Sequence, residues 1–198
     1  MIARIAFCLC TAFIIACASS GGDTVKGPAQ DYRDSARLYM PLAVGNQWTY
    51  TLDYLGQAGE MTIEIVRQEG EWFVDNHGTS LTVDRRGVRD RDRYLVTFPL
   101  LEKRSWVAFI SPTQQETRTI LSVDTPVQTP AGNFEGAVAI EATTSAGKDL
   151  LLKSVHYIVP KIGIVKIETF IVDARDGTTK RQTQTLLKSW QIKNEEKS

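Results

Sequence analysis

The chain has 198 residues, 42% apolar and 23% charged, the balance of a folded globular protein and not of a disordered one. Lys and Arg number 23 and Asp and Glu number 23, for a net charge of zero, so no whole-protein field draws the chain to nucleic acid. The length suits one domain.

Residues 1–16 have the layout of an export signal. Arg4 follows the α-amino group, and a nearly uncharged run from Ile5 to Ala16 follows Arg4. A membrane-spanning helix needs roughly 20 apolar residues, so this shorter run reads as the core of a cleavable signal. It ends in Ile14-Ile15-Ala16-Cys17, which resembles the lipobox of bacterial lipoproteins. The lipobox pattern prefers Leu three residues before the cut and a small residue two before it; here both are isoleucine. The resemblance implies a thioether-linked diacylglycerol and an N-acyl chain such as palmitate on Cys17. The partner is then a membrane, bound through the lipid anchor. One acyl chain binds a bilayer only marginally, whereas two or more hold firmly. Ala18 stands where an Asp often marks inner-membrane retention in such lipoproteins, so the resemblance implies the outer membrane. Cys8 and Cys10 fall in the leader, so the mature domain has neither disulfide nor free thiol. Cysteine-ligated metal and thiol chemistry are excluded.

Residues 17–37 read as a tether, rich in Ser, Gly and Pro through Ser19-Ser20-Gly21-Gly22 and Gly27-Pro28. About 20 flexible residues give an r.m.s. reach on the order of 25 Å. The stretch 31–38 is read as at most a short helical turn.

Residues 38–198 read as an antiparallel β domain. Trp48, Tyr50, Leu52 and Tyr54 alternate with Thr49, Thr51 and Asp53; Met61, Ile63 and Ile65 repeat the device, as do Val165, Ile167, Thr169 and Ile171. Period two marks half-buried strands. Turn signals recur at short intervals: Gly56, Gly70, Gly87, Pro130-Ala131-Gly132-Asn133, Gly147 and Asp176-Gly177. The expectation is an all-β single domain, hairpin-connected, forming a curved sheet, half-barrel or barrel with few or no helices. Residues 111–116 read as one helical turn or a loop. Pro41-Leu42 precedes Trp48 by the spacing with which Pro99-Leu100 precedes Trp106, which fits duplication and coincidence equally.

Three stretches stand in order behind the lipobox. They are Pro41-Leu42-Ala43-Val44-Gly45-Asn46-Gln47-Trp48-Thr49-Tyr50, Thr129-Pro130-Ala131-Gly132-Asn133-Phe134-Glu135, and Tyr157-Ile158-Val159-Pro160-Lys161-Ile162-Gly163-Ile164-Val165-Lys166. Together they resemble a broad group of uncharacterised bacterial envelope lipoproteins. The resemblance implies an antiparallel β fold and brings no enzyme activity. Gly45-Asn46-Gln47-Trp48 also resembles the G-x-W opening of lipocalins, but it is one residue longer and no second lipocalin motif follows.

The chain contains no G-x-S-x-G elbow, no H-E-x-x-H and no glycine-rich phosphate loop. Its two histidines, His77 and His156, lack a second ligand at zinc spacing, so neither a metal nor any other cofactor is expected. Two features point to binding. In an extended strand Arg89, Arg91 and Arg93 share one face, opposite Asp90 and Asp92, and would grip an anion such as phosphate or carboxylate. The same run also fits a charge-guarded edge strand. Trp48, Trp72, Trp106 and Trp190 would be core, or would line a cavity for an acyl chain. The leading reading is a non-catalytic envelope protein that binds or scaffolds a protein or lipid partner. Alternatives are a carrier or sensor of a lipid-like ligand, and an unrecognised hydrolase.

Overall fold

The computed structural model describes residues 30–111 and 114–193. Cys17, the leader and the first part of the tether lie outside the described residues. A short helix α1 (Arg33–Tyr39) precedes twelve strands. The first six are β1 (Gln47–Tyr54), β2 (Gln57–Glu69), β3 (Trp72–Asp75), β4 (Ser80–Val83), β5 (Gly87–Arg89) and β6 (Tyr94–Thr97). The second six are β7 (Ser105–Ser111), β8 (Gln114–Thr129), β9 (Gly132–Gly147), β10 (Leu150–Val159), β11 (Gly163–Asp173) and β12 (Thr179–Gln191).

The strands form one antiparallel sheet, ordered β6-β5-β4-β3-β2-β1-β12-β11-β10-β9-β8-β7, curled into a nearly closed barrel. Each half of the chain is a six-stranded meander, and the β1–β12 pairing joins the two. Both proline-leucine motifs precede a meander, Trp48 sitting in β1 and Trp106 in β7. The all-β expectation holds.

Alternation builds the interior. Ile120, Ile140, His156 and Ile167 lie opposite one another across β8, β9, β10 and β11. Ile65, Ile120, Ile140, Val165 and Leu187 are almost wholly buried, each stabilising the fold by about 1.5–3 kcal/mol. The two ends of the sheet, β6 and β7, are tied by side chains reaching backbone carbonyls. Trp106 Nε1 donates to the Tyr94 oxygen at 3.0 Å, and Arg118 Nη1 to the Leu95 oxygen at 3.0 Å. These bonds occupy acceptors that an edge strand otherwise offers to a second chain.

The three sequence motifs meet at one end of the barrel. Trp48 Nε1 donates to Ile162 O at 2.7 Å and the Tyr50 hydroxyl to Ile164 O at 2.9 Å. Burial pushes the Tyr50 hydroxyl pKa up, so it stays a donor. The Asn46 side chain, 1% exposed, donates to Pro41 O and accepts from Lys193 N. Ala131 N donates to Leu187 O, and Lys161 N to Leu38 O. Gly163 lies at φ +101, and a Cβ there would touch Met40, Pro41 and Trp48.

Two expectations need correction. Helix α1, where a short helical turn is expected, begins inside the segment read as tether, 17–37, and runs past its end. It is docked, because Ala36 is fully buried, Tyr32 stacks on Phe98 at 6.0 Å, and Tyr32 N donates to Arg85 O at 3.1 Å. Asp34 in its first turn and Arg37 in its last suit the helix dipole. The folded domain therefore starts several residues before 38. The 111–116 stretch, read as one helical turn or a loop, has its described residues, Ser111 and Gln114 to Glu116, in strands β7 and β8.

Candidate functional site

The charged run 84–93 folds as two successive turns, and its aspartates are what bend it. Asp84 accepts from the backbone N–H of Arg86 at 2.7 Å and of Gly87 at 3.2 Å. Asp90 accepts from the N–H of Asp92 at 2.9 Å and of Arg93 at 2.7 Å. Aspartate favours such turns because its short side chain mimics a backbone acceptor. Only Arg89 of the three arginines lies in a strand, at the end of β5, and the chain reverses over residues 90–93.

The single face of three guanidinium groups therefore does not form. Arg93 departs from it, bonding Glu116 at 2.9 Å and Asp90 at 3.3 Å. Arg89 and Arg91 instead flank Trp72 of β3. Their guanidinium carbons lie 5.4 and 4.3 Å from its ring centroid. Arg86 and Arg89 both lie over Tyr94 of β6, at 4.6 and 5.6 Å. The result is an alternating series: Arg86, Tyr94, Arg89, Trp72, Arg91. Among the described residues the guanidinium of Arg89 hydrogen-bonds backbone carbonyls alone, of Asp90 at 3.1 Å and Arg91 at 3.2 Å. Among the described residues no carboxylate forms an ion pair with Arg85, Arg86 or Arg89, while Arg91 reaches Glu69 only at 3.9 Å. Asp84 holds the Tyr94 hydroxyl at 2.6 Å. Burial, then this bond, raises the Tyr94 pKa, so the ring keeps its proton and its neutral face.

One end of the series, Arg86 and Tyr94, lines an open groove of about 920 Å³. Arg33 and Arg37 of α1, Arg85, Arg86, Tyr94 and Lys193 all line it, with Asp84 and Glu71 as its acidic members. Asp84 is already committed to its turn and to Tyr94. Arg33 and Arg37 are exposed and pair loosely with Asp31 and Asp34, at 3.2 and 3.6 Å. The groove is thus cationic and mostly polar.

The four tryptophans do not line it, nor do they share one environment. Trp48 is buried at the capped end, and Trp106 ties the seam. Trp72 belongs to the arginine series, and Trp190 is 41% exposed with its edge against Phe134 at 5.8 Å. The histidines stay apart. His77 Nε2 bonds the Thr62 carbonyl at 3.0 Å. His156 faces the barrel interior, where burial and then the fields of Arg118 and Arg93 push its pKa down to about 3. Glu116 accepts from Arg93 and from Arg118, the latter at 2.5 Å, in a nearly buried cluster beside the seam. Burial lowers the Arg118 pKa, while Glu116 holds it up. Among the described residues no group of three His, Cys, Asp or Glu is placed to hold a metal ion, and no helix is long and apolar enough to cross a membrane.

Reading the sequence missed Tyr94 and the role of Trp72. Arg86 and Tyr94 flank one hairpin, which local pairing rules can find. Trp72 arrives from a different hairpin, and nothing in the local sequence marks it.

No family model matches the chain, and no curated protein matches it. Two solved structures are similar. One is a protein described as exported, with a YmcC-like fold, from Bacteroides fragilis: 13% identical, covering 78% of this chain and 99% of that one, with a TM-score of 0.47. The other is described as a lipoprotein from Parabacteroides distasonis: 11% identical, covering 78% of this chain and 98% of that one, with a TM-score of 0.45.

Proposed function

We propose that the chain is a lipid-anchored protein of the bacterial cell envelope, held at the outer membrane through Cys17, whose β domain is a non-catalytic binding or scaffolding module. The observation that carries the binding role is the series Arg86, Tyr94, Arg89, Trp72 and Arg91 at the rim of a cationic groove. Guanidinium groups held over aromatic rings at 4.3 to 5.6 Å from the centroids are placed by those contacts, and the N–H groups that Arg89 does not give to backbone carbonyls, with those of Arg86, can meet an external anion. The turn geometry fixes them before any ligand arrives, which lowers the entropic cost of binding. The polar lining favours an anionic ligand over an acyl chain. The anchoring rests on Ile14-Ile15-Ala16-Cys17.

Fractionation of cells carrying Cys17→Ala tests the anchor: the variant is expected in the soluble envelope fraction, and an unchanged membrane distribution contradicts it. Turnover of a panel of ester, glycoside and peptide substrates by the purified protein would overturn the non-catalytic reading.

A further inference from the structure

The point where the chain enters the domain and the cationic groove are the same place. Tyr32 N donates to Arg85 O at 3.1 Å, so the segment leading from Cys17 joins the fold at the Arg85-Arg86 turn. The roughly dozen residues between Cys17 and Gln30 span at most about 45 Å. An acyl group on Cys17 therefore holds the entry point of the domain, which is this rim, within about 45 Å of the bilayer. The rim carries what an anionic surface selects. Arg33, Arg37, Arg85, Arg86 and Lys193 line the groove, and Arg89 and Arg91 lie beside it on Trp72. Trp and Tyr favour the interfacial layer because one end of the ring is apolar and the other wet.

Resting on the lipid-anchor reading above, we infer that this rim docks on the anionic phospholipid headgroups of the membrane to which the protein is tethered. The tether then sets distance and the rim sets orientation: α1 and the β4–β5 turn face the bilayer. Each basic residue near an anionic surface strengthens attachment by about fivefold, and the attraction fades beyond a Debye length of about 8 Å at physiological salt. A tether ending inside the patch brings the rim back within that distance repeatedly, because the anchor raises the local concentration of headgroups at the rim.

The test is backbone hydrogen exchange of the acylated mature protein, Cys17 to Ser198, reconstituted in vesicles of phosphatidylcholine alone or with about 30% phosphatidylglycerol. Exchange across residues 30–37 and 84–94 is expected to slow about fivefold or more in the anionic vesicles. The protection is expected to vanish in high salt and in the Arg85→Glu, Arg86→Glu double variant. Equal exchange in both compositions overturns the proposal. Flotation of the same samples reports the anchor separately. If the chain floats with neither vesicle, the anchor reading fails, and soluble dihexanoyl phosphatidylglycerol then tests the rim alone. Protection there upholds the headgroup preference and its absence overturns it. Equal protection by inorganic phosphate assigns the groove to a small anion and overturns membrane docking.

Discussion

The indole of Trp106 donates to the backbone carbonyl of Tyr94 across 3.0 Å, so the residue that ties one end of the sheet to the other holds the strand whose ring carries Arg86 and Arg89. Tyr94 thus connects the seam of the barrel to the cationic rim. Both proline-leucine motifs end in a tryptophan used in this way, since Trp48 likewise donates to a distant carbonyl, that of Ile162.

Trp106→Phe keeps the apolar bulk and removes the donor. A lost intramolecular hydrogen bond of this kind costs about 1 kcal/mol, and more if the acceptor stays dry. Arg118 still holds Leu95, so the seam loosens without opening. Denaturant unfolding is expected to show that loss, and amide exchange is expected to rise in β6 before it rises in β1 or β12. A uniform rise across the sheet would mean that the bond is not a seam contact.

His156 makes stability depend on pH. Its pKa is about 3 in the fold because burial, with Arg118 and Arg93 nearby, disfavours the charged ring; in the unfolded chain it is about 6.5. Below the unfolded value, the unfolded state binds a proton that the native state refuses. Stability is therefore full above about pH 6.5 and falls as pH drops towards 3, by about 3 kcal/mol between pH 7 and pH 4. His156→Gln is expected to flatten the stability–pH curve over that window. An identical slope in wild type and variant would exclude His156 as the source.

The meander was legible because half-buried antiparallel strands write their register into period-two alternation, as at Trp48, Tyr50 and Leu52. The motifs were legible as fold-forming because Pro, Gly and Asn mark turns, yet nothing local shows that Asn46, Ala131 and Lys161 meet at one end. The arginines were visible and their geometry was not. Alternating Arg and Asp reads as a strand when side chains are taken by parity alone. Asp84 and Asp90 instead bond backbone N–H groups two and three residues on, which reverses the chain and sends Arg93 away from Arg91. Helix α1 was legible only as a short helical turn over 31–38, because seven residues carry too little periodicity; its docking was not legible, because it depends on Ala36 and Tyr32 finding the core.

Asn46 is the joint of the capped end. Its amide nitrogen donates to Pro41 O at 2.7 Å, and its oxygen accepts from Lys193 N at 2.9 Å. Asn46→Ala strands one buried acceptor and frees the C-terminal segment, a change expected to cost about 2–3 kcal/mol. Thermal unfolding measures the loss, and exchange at Lys193 locates it. Asn46→Asp is expected to rescue the Lys193 contact but not the Pro41 contact.

Gly87 opens β5 at φ +153, and a Cβ there would lie 2.0 Å from the Val96 carbonyl oxygen. Backbone supplies that oxygen, so no rotamer change relieves the clash. Gly87→Ala is expected to destabilise by about 1–3 kcal/mol or more and to disturb the β5–β6 pairing on which Arg89 and Tyr94 depend. Gly56→Ala, at a positive φ in open space, is the control for backbone strain alone and is expected to cost less.

Trp72 holds Arg91 at 4.3 Å and Arg89 at 5.4 Å, and the strength of that grip decides whether the rim is rigid before it meets an anion. A double-mutant cycle of Trp72→Leu with Arg91→Gln isolates the pair, since each change removes one partner of the same contact. At a site where the Arg91 side chain is 53% exposed, the coupling is expected at about 0.5–1 kcal/mol. It is expected to persist at high salt better than the Arg91–Glu69 pair, because the carboxylate lies 3.9 Å away in solvent and is readily screened. A coupling that disappears with salt would assign Arg91 to Glu69 and leave Trp72 as packing.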